Sequence, residues 1–394
     1  INYKILISLM TRNAVVISPH PAARECCIDA ANLLAQVAVD AGAPDGVIQI
    51  IKDPNIPLIE EFMKSPKTAV ILATGGTPMV RSAYSSSNPA IGVGPGNAPV
   101  FVDSSADIDK AANRIVESKS FDNSVLCTNE SVLITLPEVD KQLRQSLKKY
   151  GAYFCNDDDT SRLRRYLFHG AGFNIETIGR DATWIAKECG IRVPEKTAIL
   201  VAPIDQIGIE EPLSREKLCP VLAYHVAKNR DQAIMQARAV LRLTGAGHSA
   251  AVHAMDETVT MAFARALEVY RIVVNAPCSQ GAAGFGTALA PTFTIGTGFF
   301  GRSSIGENVG PEHLVHWTKL AYNEDTSEKF GDYFGIGNNF SGPLPSAPED
   351  GVPGAGHYHF APPTASMNAD PLSSITRTEL RQMIAEELRG ALRG

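Results

Sequence analysis

Cys127 is the side chain of this sequence best placed for covalent chemistry. It lies in residues 121–130, FDNSVLCTNE, between a polar turn at Asp122 and Asn123 and the apolar run that follows. A thiol has an ordinary pKa of about 8.5 and, once ionised, is the most nucleophilic of the common side chains. A free cysteine standing alone is more often a buried core residue, so its neighbours must decide. Four other segments carry residue types that could surround such a group. Residues 74–78, TGGTP, place Gly75 and Gly76 after the apolar run AVILAT. Glycines between a strand and a helix let phosphates approach the backbone and the helix N-terminus. The run lacks the GxGxxG spacing, and a plain tight turn fits it equally. Residues 92–99, GVGPGNAP, must form a rigid, tightly turned backbone that lines a cleft or connects two lobes. Ser18, Pro19 and His20 stand where a strand gives way to a helix, the position at which parallel sheets bind nucleotides. A lone histidine there more often caps a helix or faces solvent. Residues 210–221, EEPLSREKLCPV, make a charged turn leading into a strand and say little alone.

The elements that must hold these residues alternate. Residues 14–18, AVVIS, read as a buried strand. Residues 21–41 read as a helix with Cys27, Ala30, Ala31, Leu34 and Val37 apolar. Strands at 47–51 and 69–74 and helices at 56–64 and 79–85 continue the rhythm, which predicts a parallel sheet covered on both faces. A second lobe starts near residue 104. It is expected to have helices at 107–118, 231–241 and 257–267, and strands at 132–136, 197–202, 221–225, 248–253 and 271–275. A late strand at about 314–321 is expected to pair at a sheet edge. Between 331 and 371 glycine and proline are frequent and apolar periodicity vanishes, which predicts a linker. Residues 375–392 regain helical spacing, with Leu380, Ile384, Leu388 and Leu392 on one stripe and Thr376 and Glu379 fitting a capping box. So short a helix is marginal in water and needs a partner surface.

Composition bounds the function. The 394 residues imply two to three lobes at roughly 150 per domain. With 44% hydrophobic and 20% charged residues the chain has material for a core, and a net charge of −6 argues against nucleic acid as a partner. No apolar run approaches the roughly 20 residues that cross a bilayer, so no membrane partner is expected. Seven cysteines without CxxC or His-rich spacing argue against a disulfide scaffold and against a metal site, and point to a reducing, cytoplasmic setting. The chain opens on Ile1 rather than Met, and is expected to be a fragment.

Taken together the segments resemble the CoA-acylating branch of the aldehyde dehydrogenase superfamily, over roughly residues 1–322. The resemblance rests on TRNAVVISPHP, ATGGTPMVRSAYSSSNPAIGVGPGN, FDNSVLCTNE, REKLCPV, GAGHSAAVH, RIVVNAPCSQG and ENVGPEHLVHW, in that order. It implies an α/β fold of aldehyde dehydrogenase type with two Rossmann-like lobes and an oligomerisation strand. The lobes would be 1–103 (cofactor) and 104–313 (catalytic), followed by the strand at 314–322, a linker at 323–374 and an amphipathic helix at 375–394. It implies Cys127 as nucleophile, forming a thiohemiacetal and then a thioester that coenzyme A takes over. Gly75 and Gly76 would face the phosphates or nicotinamide of NAD, with NADP left open. Ser18, Pro19 and His20 would edge the adenosine half, and Glu216 would hold the nicotinamide ribose. The Cys127 amide would help hold the oxyanion.

Hydrolytic members carry a glutamate in an ELGGK-like segment; the corresponding GVGPGN here holds no acid, which favours a thiol over water as acyl acceptor. Two alternatives remain at this point: a hydrolytic dehydrogenase giving a carboxylic acid, and a non-catalytic cargo or scaffold protein. The family's cofactor lobe begins before the point where Ile1 falls, so its N-terminal part is expected to be missing, and the natural polypeptide to be longer. A homo-oligomer, dimer or tetramer, is implied. The tail resembles encapsulation peptides of bacterial microcompartment enzymes, which would make shell proteins a partner through 375–394 and place the enzyme inside such a compartment.

Overall fold

The strands of this protein read as near-continuous apolar runs, and in the structure those at Ala98–Val102 and Glu130–Thr135 are buried along their whole length. The structure, a computed structural model, describes residues 1–170, 172–319 and 321. The first part forms α1 (Asn2–Met10), β1 (Val15–Ile17), α2 (Arg24–Asp40), β2 (Ile48–Ile50), α3 (Ile56–Lys64), β3 (Ile71–Thr74), α4 (Thr77–Tyr84) and β4 (Ala90–Val93). Asn55 starts α3 by accepting the Leu58 N–H at 3.0 Å, as helix N-caps do. β1 pairs with β2 and β3 with β4, both in parallel. These are two separate pairs among the described residues, not the single covered sheet the alternation predicts. One group lies where a further strand would pair with β3: the Lys4 ammonium of α1 donates to Leu72 O at 2.8 Å and to Thr74 Oγ1 at 2.9 Å.

The second part builds a seven-stranded parallel sheet. Its elements are β5 (Ala98–Val102), α5 (Ile108–Ser120), β6 (Glu130–Thr135), α6 (Pro137–Lys149), β7 (Ala152–Phe154) and α7 (Asp157–Leu167). A short antiparallel hairpin, β8 (Phe168–His169) and β9 (Gly172–Phe173), comes next. α8 (Ala182–Glu188), β10 (Ile199–Pro203), β11 (Val221–Val226), α9 (Arg230–Leu243), β12 (Gly247–His253), α10 (Glu257–Ala266), β13 (Val269–Val274) and α11 (Cys278–Ala282) complete it. The strand order is β13-β12-β5-β6-β11-β10-β7. Every residue of β5 and β6 is buried, as a sheet covered on both faces requires. α5 packs on α6 and α11, and α9 on α10.

β12, β5, β6 and β11 are consecutive neighbours in this sheet. The segments entering them at their amino ends are 244–246, 94–97, 121–129 and 211–219. By contrast Ser18, Gly75 and Gly76 follow the carboxyl ends of β1 and β3. The late strand expected at 314–321 does not form among the described residues: Pro311–Leu314 is a single 3-10 turn, and 315–319 pair with no strand of this chain. An edge strand needs a partner edge, and none lies beside it here. The expected linker and terminal helix lie outside the described residues.

Candidate active site

The segment carrying Cys127 is built against the ordinary preferences of the backbone. α5 ends at Ser120, and Asp122, Asn123 and Ser124 then adopt left-handed φ of 50°, 47° and 66°. Asp and Asn tolerate this region better than most residues, but three in succession are strained and must be held by their surroundings. Asn129 holds them: its Nδ2 donates to Ser124 O at 2.8 Å and also to Leu126 O. Thr128 Oγ1 donates to Ser279 O at 2.8 Å, and Asn123 Nδ2 to Gly179 O at 3.0 Å.

Cys127 itself is half-buried at the end of this turn. Burial pushes its thiol up to about 12, and the negative charge of Glu216 adds to the rise. Its own backbone N–H and the positive charge of Arg271 act the other way. The resting group is therefore a neutral thiol at pH 7. The sulfur is not sealed in hydrocarbon, because an acid and a guanidinium face it.

Gly96 joins the separate segments. Its N–H donates to Glu216 Oε1 at 2.8 Å. A β-carbon at Gly96 would overlap the carbonyl oxygen of Cys127 and lie 3.1 Å from Glu216 Oε1, so only glycine fits. Asn97 fixes the same loop by donating to Ser214 O at 3.1 Å and to Val240 O at 3.0 Å. Gly245, at φ 88°, allows the next segment to close in, since a β-carbon there would lie 2.6 Å from Asn97 N. On the other side Gly75 donates to Val93 O at 3.2 Å, bringing the TGGTP turn against the start of the same loop.

Gly75, residues 93–97, Cys127 and Glu216 are thus brought together. Ser18, Pro19 and His20 are not joined to them by any hydrogen bond among the described residues. The residue after them, Pro21, lines a cavity of about 240 Å³ with Arg24, Asp53, Pro54 and Asn55. His20 Nδ1 accepts the Ala22 N–H at 3.2 Å, capping the turn that begins there.

Although 94–97 holds no acid, the structure places two carboxyl groups nearby. Glu216, half-buried, is pushed up to about 7 by burial, against the opposing pull of the Gly96 N–H, Lys119 and Lys217. The ribose role that the resemblance gives Glu216 meets a prior claim, since one oxygen already accepts from Gly96. Glu130, fully buried below the turn, is pushed up to about 7 by burial, and its Oε1 accepts the Cys278 N–H at 3.1 Å.

Three further residues escaped the sequence reading. Lys119 is fully buried and donates to Asn129 Oδ1 at 2.6 Å; burial pushes it down to about 8. Arg271 is buried and donates to Asn308 Oδ1 at 2.6 Å, to His248 O at 2.8 Å, and to the carbonyls of Gly296 and Gly306. Burial, and then the Arg271 charge, push His248 down to about 3, so its imidazole is neutral. The motif around His248 was legible, but its burial beside an arginine was not.

The chain's own groups fit a dinucleotide. Gly76 caps α4 without a side-chain hydrogen bond, and the first turn holds no acid, so N–H groups at that helix end lack a side-chain acceptor. Among the described residues, β-carbons at Gly75 and Gly76 would meet only Met79 and Pro78 within 4 Å, from 3.7 Å outward. A helix N-terminus of this kind suits a pyrophosphate.

The profile of the aldehyde dehydrogenase family matches residues 1–160. An aldehyde-alcohol dehydrogenase of Streptococcus pneumoniae is 40% identical over 328 residues, covering 81% of this chain and 37% of that one. The acetylating succinate-semialdehyde dehydrogenase of Clostridium kluyveri is 34% identical over 319 residues, covering 80% of this chain and 70% of that one. Among solved structures, an acetylating aldehyde dehydrogenase from Geobacillus thermoglucosidasius superposes with a TM-score of 0.77 at 37% identity, covering 82% of this chain and 72% of that one. A propionaldehyde dehydrogenase of Rhodopseudomonas palustris, described with bound CoA and an acylated cysteine, gives 0.68 at 31% identity, covering 74% and 66%. The chain belongs to the aldehyde dehydrogenases, and within them to the acylating branch. It spans little more than a third of the length of the pneumococcal relative.

Two outcomes follow from this geometry. Gly96→Ala forces the 94–97 loop off the Cys127 turn, and activity is expected to fall by about 10²-fold or more in protein that still folds by circular dichroism; unchanged turnover would contradict the contact. Glu130 holds its proton up to about 7 when folded but releases it near 4.5 when unfolded. Its raised value therefore stabilises the fold below the unfolded value, and that contribution is lost as pH rises through 7. In Glu130→Gln the drop in Tm between about pH 5 and about pH 8 is expected to be smaller than in the parent protein. Equal drops would place the ionisation elsewhere.

Proposed function

We propose that this chain oxidises a short aldehyde and passes the acyl group to coenzyme A through a thioester on Cys127. The observation that carries the reading is the meeting of Gly96, Cys127 and Glu216 in a loop cluster whose 94–97 segment supplies no water-activating carboxylate. The names of the relatives, acetylating and acylating dehydrogenases, support it.

The Cys127 sulfur, having given up its proton, adds to the aldehyde carbon, and the carbonyl electron pair moves to oxygen. The Cys127 backbone N–H, which already favours negative charge on the sulfur, would help hold the charge that develops on that oxygen. NAD, when bound, supplies the acceptor for the hydride lost from that carbon. Gly75 and Gly76 at the start of α4 would hold its phosphates, and Ser18, Pro19 and His20 would border its adenosine. The acyl group is left on Cys127 as a thioester.

Glu216 sets the charge beside the sulfur. Ionised, it opposes the thiolate; near pH 7 it takes up a proton and relieves that opposition. One of its oxygens accepts from Gly96, which holds the carboxyl against the loop. The 94–97 segment offers water no carboxylate and Glu216 is held by the Gly96 N–H, whereas a thiol exchanges with a thioester readily. The thiol of CoA therefore completes the turnover: its sulfur takes the acyl group and its proton restores the Cys127 thiol, so the one proton released per turnover is the one Cys127 lost at the start.

The sequence pattern of the tail supports a second element of this reading. A Gly- and Pro-rich stretch at 323–374 followed by an apolar stripe at 375–394 suits a peptide that docks on the shell of a bacterial microcompartment, where volatile aldehydes are confined. The strand segment 314–322 would serve a homo-oligomer.

Cys127→Ala is expected to abolish both NADH and acyl-CoA formation from aldehyde, NAD and CoA, read by absorbance and by mass analysis of the thioester. Free acid formed at the same rate with and without CoA would favour the hydrolytic reading. Deleting residues 376–394 is expected to leave turnover intact and to remove co-sedimentation with shell proteins; retained co-sedimentation would refute the tail's role.

A further inference from the structure

Four ionisable side chains surround the base of the Cys127 turn: Lys119, Glu130 and Lys217, all fully buried, and the half-buried Glu216. Desolvating an ammonium is costly, and a methionine would fill the same space without that cost. What the two lysines hold is therefore informative. Lys217 Nζ donates to Leu213 O at 2.5 Å and to Arg215 O at 2.7 Å, closing the turn that presents Glu216. Lys119 Nζ donates to Asn129 Oδ1 at 2.6 Å and to Lys217 O at 3.3 Å. Asn129 in turn holds the carbonyls of Ser124 and Leu126 with its other end.

We propose that Lys119 is a positioning residue for the nucleophile: through Asn129 it holds the strained turn that carries Cys127, and through the Lys217 carbonyl it ties that turn to the one presenting Glu216. The inference rests on Cys127 as the reacting group. Asn129 alone cannot do this work, because its amide is fully used on the two carbonyls and its carbonyl oxygen needs a buried donor. Lys119 is that donor. The groups facing Lys119 are Glu130, Glu216, Lys217 and Cys219; those facing Cys127 are Glu216 and Arg271. Among the described residues the Lys119 ammonium donates only to Asn129 and to the Lys217 carbonyl, so its loss should damage the step made by Cys127 more than substrate binding.

The test uses the full chain with aldehyde, NAD and CoA. Lys119→Met is expected to lower kcat by about 10²-fold, the order of loss that follows when a reacting group shifts by about an ångström, with the aldehyde KM changed by less than about threefold. Asn129→Ala is expected to act alike, and the double variant to be no worse than the worse single, because both changes break one link. Asn129→Ser carries the same kcat expectation and answers the question if Lys119→Met fails to fold. A kcat within about threefold of the parent in Lys119→Met, or, if that variant does not fold, in Asn129→Ser, overturns the inference; so do single losses that multiply in the double variant, since that additivity marks independent sites. Cys127→Ala, run beside them, separates the two claims: if it stays active the nucleophile assignment fails, and if it is dead while Lys119→Met is intact only the positioning role fails.

Discussion

The constraint on which the site depends is a backbone approach that leaves no room for a β-carbon. Gly96 lies so near the Cys127 carbonyl that any side chain would overlap it, and its N–H is committed to Glu216. Around that contact the rest is arranged. Asn97 anchors the loop to two distant carbonyls, Gly245 lets a further segment close on it, and the register of β5 on β6 shifts between Ala98 and Pro99, immediately after the loop. The segments entering four neighbouring strands at their amino ends meet at one place, beside the carboxyl end of the strand that leads to Gly75. Parallel sheets ordinarily bind at carboxyl ends. Here one half of the site obeys that rule and the other half inverts it.

Electrostatics at this place is a balance of buried charges. Two acids raised to about 7 and two lysines pushed below their usual range lie around a thiol raised to about 12. Each shift is dominated by burial. The lysines offset the acids, the Arg271 guanidinium offsets Glu216 at the sulfur, and the thiol rests uncharged. Such a nucleophile is protected from indiscriminate reaction, and its activation requires a change in the charge around it. The neighbouring carboxyl that titrates near 7 is one group able to provide that change.

Much of the scaffold was legible in the sequence, because apolar runs and apolar stripes report burial directly. The helix at 56–64 has its expected ends, and most strands of the second lobe lie within two residues of expectation. β5 was hidden in a stretch dense in glycine and proline, although its APVFV is wholly buried. α6 carried a readable stripe of Val139, Leu143 and Leu147 that went unassigned. The late strand does not form among the described residues, because a segment without a partner edge beside it forms no ladder. Of the candidate site, Cys127 and the 94–97 loop stood out by residue type, and Glu216 only through the resemblance to the family. Their meeting through the Gly96 N–H did not stand out, since it joins positions 120 residues apart. Lys119 fell just beyond the expected end of its helix at 118; α5 runs to Ser120, and only that extra turn carries the ammonium into the interior. A buried lysine bonded to an amide and a carbonyl has no pattern in sequence.

The account depends on an acyl group resting on one sulfur until a thiol removes it. The direct measurement is peptide mass mapping after mixing the protein with aldehyde and NAD in the absence of CoA, followed by a chase with or without CoA. The account predicts an acyl adduct on the peptide containing Cys127 that persists in buffer and disappears on adding CoA as acyl-CoA forms. An unmodified Cys127 peptide alongside NADH formation, or an adduct lost as quickly in buffer as with CoA, would contradict it.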